Sequence, residues 1–263
     1  MPSIYQAIYE IEVNNDAAAL CTVIKSEGST PRHVGSKMLV YPDGNFVGTV
    51  GGGELESRVI KVALDVIKIG TAQTLSYSMV DPSRGDPGVC GGTVEVFVDP
   101  ILPAPMIVVI GGGHVGKAVV HLAKWMGFKV AVSDDRVEFC NPESVAGADA
   151  YYPVAMAELA DQLKVTNQTY LVVTSRGSAV DVKGLPGLLK SEAAYIGVIG
   201  SKRRWLTTVK ALKENGIADD LIAKVHSPMG LELNAETPEE IAVSIMAEIL
   251  MTRNQGTGRT MKE

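Results

Sequence analysis

The sequence predicts an α/β protein in two parts, a C-terminal doubly wound parallel sheet behind a smaller N-terminal α/β domain. Three observations carry this: an unbroken strand-turn-helix-strand pattern in residues 106–135, further alternation of apolar runs with amphipathic stretches to residue 253, and a proline-rich break at residues 99–105. Residues 107–110 are continuously apolar, as a parallel strand covered on both faces must be. Gly111, Gly113 and Gly116 then fit G-x-G-x-x-G. Gly111 permits the tight turn, Gly113 lets backbone approach a phosphate, and Gly116 lets helix and strand pack closely. The helix that starts at His114 turns free N–H groups toward the anion. Its apolar residues Val115, Val119, Leu122, Ala123 and Met126 recur at three- and four-residue steps, and Gly127 ends it. The next strand ends in Asp134, roughly 20 residues past the first glycine, where acids that accept ribose hydroxyls sit. The pattern is a Rossmann-type unit. Its alternative is the same scaffold with an empty crevice or another phosphate-bearing ligand.

In chain order, Ile4, Ala7, Ile8 and Ile11 make a short amphipathic helix in residues 3–13. Residues 17–26 read as a strand with Cys21 and Val23 on one side and Leu20, Thr22 and Ile24 on the other, so Cys21 is expected in the core. The loop at residues 27–37, EGSTPRHVGSK, gathers Arg32, His33 and Lys37 and is a candidate anion-binding loop, or simply a solvated connection. A hairpin over residues 37–50 follows, turning at Pro42-Asp43-Gly44-Asn45. Gly51, Gly52 and Gly53 then open a helix to residue 69, a second place where backbone can meet a ligand at a helix N-terminus, with Glu56 able to complement the dipole. After a strand at residues 72–79 and an Asp/Pro/Gly loop, Cys90 stands before Gly91-Gly92 and the strand at residues 93–98. Flanking glycine suggests an accessible sulfur whose neighbouring N–H groups lower its pKa; an inert turn cysteine is the alternative. Cys140, in FCNPES, reads as a loop thiol of intermediate reactivity.

This places an N-terminal domain at residues 1–99, a linker at 100–105, the Rossmann-like domain at 106–253 and a flexible polar tail at 254–263. Within the second domain, strands are expected near residues 149–152, 169–174 and 195–199, and helices near 155–163, 179–189, 201–214 and 238–253. The crevice at the strand C-termini would be lined by residues 111–116, Asp134, and residues 174–177 and 200–204. Ser201, Lys202, Arg203 and Arg204 put three cations at a helix start, against its dipole, so an anionic ligand or an acidic protein surface is their natural complement. His226, before Ser227-Pro228, reads as a loop residue.

The 263 residues, 46% hydrophobic, suffice for two cores, and the net charge of −6 excludes nucleic acid or an anionic membrane as main partner. No run approaches the ~20 apolar residues of a membrane span, and the acidic N-terminus lacks the basic region of a signal peptide, so a cytoplasmic location is expected. Three scattered cysteines and four histidines show no spacing for a disulfide framework or a metal site.

Five blocks then stand together in order: SEGSTPRHVGSKMLVYPDGNFVGTVGGGELE, CGGTVEVFVDP, IVVIGGGHVGKAVVHLAKWMGFKVAVSDDR, YIGVIGSKRR and SPMGLELNAETPEEIAVSI. They span nearly the whole chain and resemble the xanthine dehydrogenase accessory factor family, XdhC/CoxI. The resemblance implies a dimeric chaperone that binds molybdenum cofactor (molybdopterin) transiently, assists its sulfuration, and delivers it to a molybdenum hydroxylase client, with a cysteine desulfurase as a further partner. Many relatives carry a cysteine where this chain has Glu54, and R-G-H where it has Arg176-Gly177-Ser178, which leaves Cys90 as the thiol for a sulfur role. The competing class is an NAD(P)-dependent oxidoreductase acting on a small carbonyl or hydroxy substrate, with His226 as proton donor. A nucleotide-sensing module is the third.

Overall fold

The computed structural model describes residues 3–78 and 91–262, which form two compact units, residues 1–103 and 104–263. The first unit begins with helix α1 (Ile4–Asn14), capped by the Ser3 side chain and stopped by Asn15 in the left-handed region. Strands β1 (Ala18–Glu27), β2 (Lys37–Val40) and β3 (Phe46–Gly48) follow, then helix α2 (Gly53–Ile69), β4 (Gln73–Ser78) and β5 (Thr93–Ile101). The five strands pair antiparallel in the order β3-β2-β1-β5-β4. The alternation read in β1 decides the layering. Cys21 and Val23 pack with Val59, Ala63 and Val66 of α2, whereas Ala18 and Leu20 face Ala7 and Ile11 of α1 on the other side. Strand β5 runs beyond the expected end of the domain. Pro100 still pairs with Ala19, but β4 has its last partner at Val98, so the proline sits on a local edge where its missing N–H is tolerated.

The second unit contains β6 (Met106–Ile110), α3 (His114–Trp125), β7 (Lys129–Ser133), β8 (Ala150–Tyr152), the one-turn helix α4 (Leu159–Gln162), β9 (Thr169–Val173), α5 (Ser178–Leu189), β10 (Tyr195–Val198), α6 (Lys202–Glu214), the short α7 (Asp219–Ile222), β11 (Val225–His226) and α8 (Pro238–Arg253). All six strands are parallel, in the order β11-β10-β9-β6-β7-β8, the doubly wound arrangement with its reversal between β6 and β9. One face of the sheet packs on α3 and α8 through Val119, Val120, Ala123, Ile245, Met246 and Ile249. The other packs on α5 and α6 through Leu185, Leu188, Leu189 and Leu212. Both faces are covered, which is why the strands read as continuous apolar runs. Two expectations change. The helix expected at residues 155–163 is a 3-10 turn at Met156–Glu158 followed by the single turn of α4. His226 lies on the edge strand β11, in register with Gly197 of β10, because a two-residue strand is too short to show any periodicity in sequence. Among the described residues no helix is long and apolar enough to cross a membrane.

Candidate functional site

At the reversal of strand order, the C-terminal ends of β6, β7 and β9 and the start of α5 enclose a cleft of about 410 Å³. Its lining includes Gly111, Gly113, Asp134, Arg136, Arg176 and Lys183. The glycine turn is shaped by different demands at each position. Gly111 has φ +118° and a Cβ there would stand 2.6 Å from the Thr174 carbonyl oxygen; one on Gly116 would stand 2.0 Å from the Gly111 carbonyl oxygen. Gly112, a position that the G-x-G-x-x-G spacing leaves open to any residue, is the tightest, with a Cβ 1.8 Å from the Phe139 carbonyl oxygen. Gly113 differs. Its φ of −72° suits any residue, and a Cβ would meet nothing within 4 Å. The fold therefore does not need glycine at residue 113, whereas an approaching ligand would. Gly113, which lines the cleft, also caps α3 without a side chain, so the first-turn N–H groups of His114, Val115 and Gly116 have no side-chain cap, and no acidic residue occupies that turn.

Asp134 does not stand open for a ribose. Its Oδ2 accepts from the Gly112 N–H at 3.0 Å and from Arg136 Nη2 at 2.9 Å, and its Oδ1 accepts from the Arg136 N–H at 3.1 Å and Nε at 2.9 Å. A carboxylate offers about four acceptor positions, so protein donors occupy all of them. Burial alone would raise this carboxyl, but the hydrogen bonds from Arg136 and Gly112 outweigh it and hold the group below the usual carboxylate range. Arg136 is further fixed by the Phe139 ring, 3.9 Å from its guanidinium carbon. Asp134 thus ties β7 to the glycine turn. Arg176 makes a half-exposed bidentate pair with Asp135 at the cleft rim.

The cationic start of α6 also resolves differently from expectation. Ser201 accepts from the Arg204 N–H at 3.2 Å and is the helix cap. Arg204 turns back to donate to the Ser175 carbonyl and hydroxyl and to Asp181 Oδ2 at 2.7 Å, with the Asp181 side chain fully buried. The charge of Arg204 is therefore neutralised within the fold, where it braces the crevice loop. Lys202 and Arg203 are exposed.

A buried cluster near the other edge of the sheet was not foreseen. Glu248 on α8 accepts from Tyr195 Oη and the Gly230 N–H, both at 2.6 Å, and meets His226 Nδ1 at 2.9 Å, while the Tyr195 and His226 rings lie 4.6 Å apart. A Cβ on Gly197 would strike Tyr195 Oη at 2.5 Å, so glycine makes room for the ring. Burial raises the Glu248 carboxyl, but hydrogen bonds from His226, Tyr195 and Gly230 bring it below its usual value. A glutamate inside the apolar run of residues 245–251, IMAEILM, was the available signal.

In the first unit the candidate motifs converge. Gly51 sits against Pro31, with a Cβ position 2.8 Å from Pro31 Cγ, and Gly92 sits against the Ser29 carbonyl, with a Cβ position 2.5 Å away. Ser29 bridges Gly91. The loop at residues 27–37 thus touches both glycine blocks, with Arg32 and His33 exposed. Gly51, Gly52 and Gly53 have φ of +149°, +84° and +61°, conformations that L side chains rarely adopt. Lys37 is drawn onto the sheet by Thr22, and Glu56 is held by the Thr49 hydroxyl. Cys90 lies outside the described residues. Cys21 is fully buried, which pushes its thiol up to about 12. Cys140, expected as a loop thiol of intermediate reactivity, is also buried, and burial raises its thiol; its Sγ donates to the Val132 carbonyl.

Sheet order, glycine turn and cleft define a Rossmann domain with a crevice at the point where the strand order reverses. Residues 107–249 match the model of the XdhC Rossmann domain and residues 13–78 that of the XdhC and CoxI family, and the chain belongs to this family. Among curated relatives, the uncharacterized protein YqeB of Escherichia coli (strain K12) is 32% identical over 98% of this chain and 48% of its own length. A probable xanthine dehydrogenase subunit of Bacillus subtilis (strain 168) is 29% identical over 62% of this chain and 47% of its own. The molybdenum cofactor insertion chaperone PaoD of Escherichia coli (strain K12) is 21% identical over 93% and 86% respectively. The chain spans about half the length of the first two.

Proposed function

We propose that this chain is an accessory protein of molybdenum enzymes that takes molybdenum cofactor into the Rossmann crevice and passes it to a molybdenum hydroxylase of the xanthine dehydrogenase type. The carrying observation is Gly113, a glycine at an ordinary backbone conformation with open space before it, at an uncapped helix N-terminus. Backbone N–H groups there suit the phosphate of the pterin, and Lys183 adds a cation to a cleft whose Arg136 and Arg176 are paired with Asp134 and Asp135. A volume of about 410 Å³ falls in the range of small-molecule sites. Membership of the XdhC family and the names of the relatives support the cargo and the client. The cofactor brings the molybdenum chemistry; this chain binds, orients and shields it. On this reading the protein works in the cytoplasm as a homodimer, acts by binding rather than turnover, and meets a cysteine desulfurase during sulfuration, with Cys90 as the thiol that handles sulfur.

Gly113→Val provides the test. The backbone tolerates valine, so the variant should melt like the parent, yet branched methyl groups would occupy the phosphate position. Protein purified from a cofactor-producing host should carry molybdenum and pterin, and the variant should lose at least ~90% of both, a loss of about 1.4 kcal/mol or more in binding. Equal pterin content in a normally folded variant would remove the crevice from the reading.

A further inference from the structure

We infer that the crevice selects a phosphate monoester ligand over one that presents a free ribose diol, and that Arg136 is the residue that disfavours NAD+-type dinucleotides. The inference rests on the crevice being the binding site, and it specifies which ligand form enters. In dinucleotide-binding domains the acid that ends the second strand recognises the ribose hydroxyls with free carboxylate lone pairs. Here Asp134 occupies that position, and every lone pair is taken by the Gly112 N–H and three donors of Arg136. Arriving ribose hydroxyls would find no acceptor and would be desolvated without compensation, whereas a ligand ending in one phosphate makes no demand on Asp134.

The guanidinium is held in place on its other side as well. It stacks on Phe139 at 3.9 Å, and its side chain is about one-third exposed, beside the 3%-exposed Asp134 carboxylate. Swinging away to admit a ribose would break two N–H to carboxylate hydrogen bonds and leave a buried anion less well paired. The proposed phosphate end of the crevice, Gly113 and the start of α3, uses none of the Arg136 donors, and the bond from the Gly112 N–H to Asp134 does not depend on the guanidinium. Phosphate affinity and ribose exclusion therefore sit on different residues and separate by mutation.

Removing Arg136 beyond Cβ leaves Asp134 with its two backbone donors and vacates two acceptor positions. Isothermal titration of the full chain with NAD+, and separately with molybdopterin freshly released from a molybdenum enzyme, reads the effect. The parent protein should bind NAD+ at least ~10-fold more weakly than the pterin, and Arg136→Ala should raise the NAD+-to-pterin affinity ratio at least ~10-fold, about 1.4 kcal/mol. Arg136→Gln, which keeps bulk and a single side-chain amide donor, should give an intermediate ratio and covers the case in which the alanine variant is poorly folded, as judged by its melting curve. Comparable binding of NAD+ and pterin by the parent, or an unchanged ratio in both variants, overturns the selectivity while leaving the crevice as the pterin site. Failure of the parent to bind pterin at all, with Gly113→Val indistinguishable from it, overturns the proposed function and this inference together.

Discussion

Replacing Glu248 by alanine should destabilise the C-terminal unit strongly, and the size follows from what the carboxylate satisfies. Tyr195 is 2% exposed and its hydroxyl donates to Glu248 at 2.6 Å, as does the Gly230 N–H. Without an acceptor, the buried Tyr195 hydroxyl and the partly buried Gly230 N–H cost about 2 kcal/mol each, so the loss is at most roughly 4 kcal/mol before any change at His226 is counted. With a urea m-value of about 2 kcal/mol/M for a unit of this size, the midpoint should fall by up to about 2 M. Both tryptophans, Trp125 and Trp205, lie in this unit, so fluorescence follows its unfolding. Tyr195→Phe removes one donor and should cost about 1–2 kcal/mol; combined with Glu248→Ala it should cost at least ~1 kcal/mol less than the sum. The pH dependence has a definite sign. Because the folded carboxyl lies below its unfolded value, its contribution is present above pH ~4.3 and is lost as pH falls through the folded value. The gap between the parent and Glu248→Ala should therefore narrow in acid. A loss under ~1 kcal/mol at neutral pH, or strictly additive single and double variants, would refute the cluster as a structural brace.

Asp181→Ala leaves Arg204 without its buried partner and should lower stability by about 3 kcal/mol, a drop of roughly 6–12 °C in melting temperature, whereas Lys202→Ser with Arg203→Ser should change it by less than ~0.5 kcal/mol. Equal effects would refute the assignment of Arg204 to the fold and of its neighbours to the surface. Alkylation of the native protein with peptide mapping should leave Cys21 and Cys140 largely unmodified, since both sulfurs are buried and burial raises both thiols, Cys21 to about 12, where roughly a thousandfold less thiolate is present at pH 8 than for an ordinary thiol. Cys90 should react first, and Cys90→Ser should reduce activation of the client hydroxylase. An unreactive Cys90, or a serine variant with full activation, would end its sulfur role.

Elements whose signal is local were legible in the order of residues. The βαβ unit could be read because a buried parallel strand must be apolar throughout, a close helix start must be glycine, and the helix between must repeat at three and four residues; β6, α3 and β7 follow that reading. The sides of β1 were legible for the same reason, since alternate side chains face opposite layers. Folding settled what depends on partners distant in the chain. Whether Asp134 is open to a ribose depends on the Gly112 N–H, which reaches it from 22 residues earlier, as well as on where the guanidinium of Arg136 turns. Whether Arg204 faces a ligand depends on Asp181 of α5. His226 became a strand residue only because β10 offers it an edge and Glu248, 22 residues later, offers a carboxylate. Backbone conformation and apolar periodicity are properties of neighbours in sequence, whereas the partner that neutralises a charge or occupies a lone pair is a property of neighbours in space, and only the folded chain brings those together.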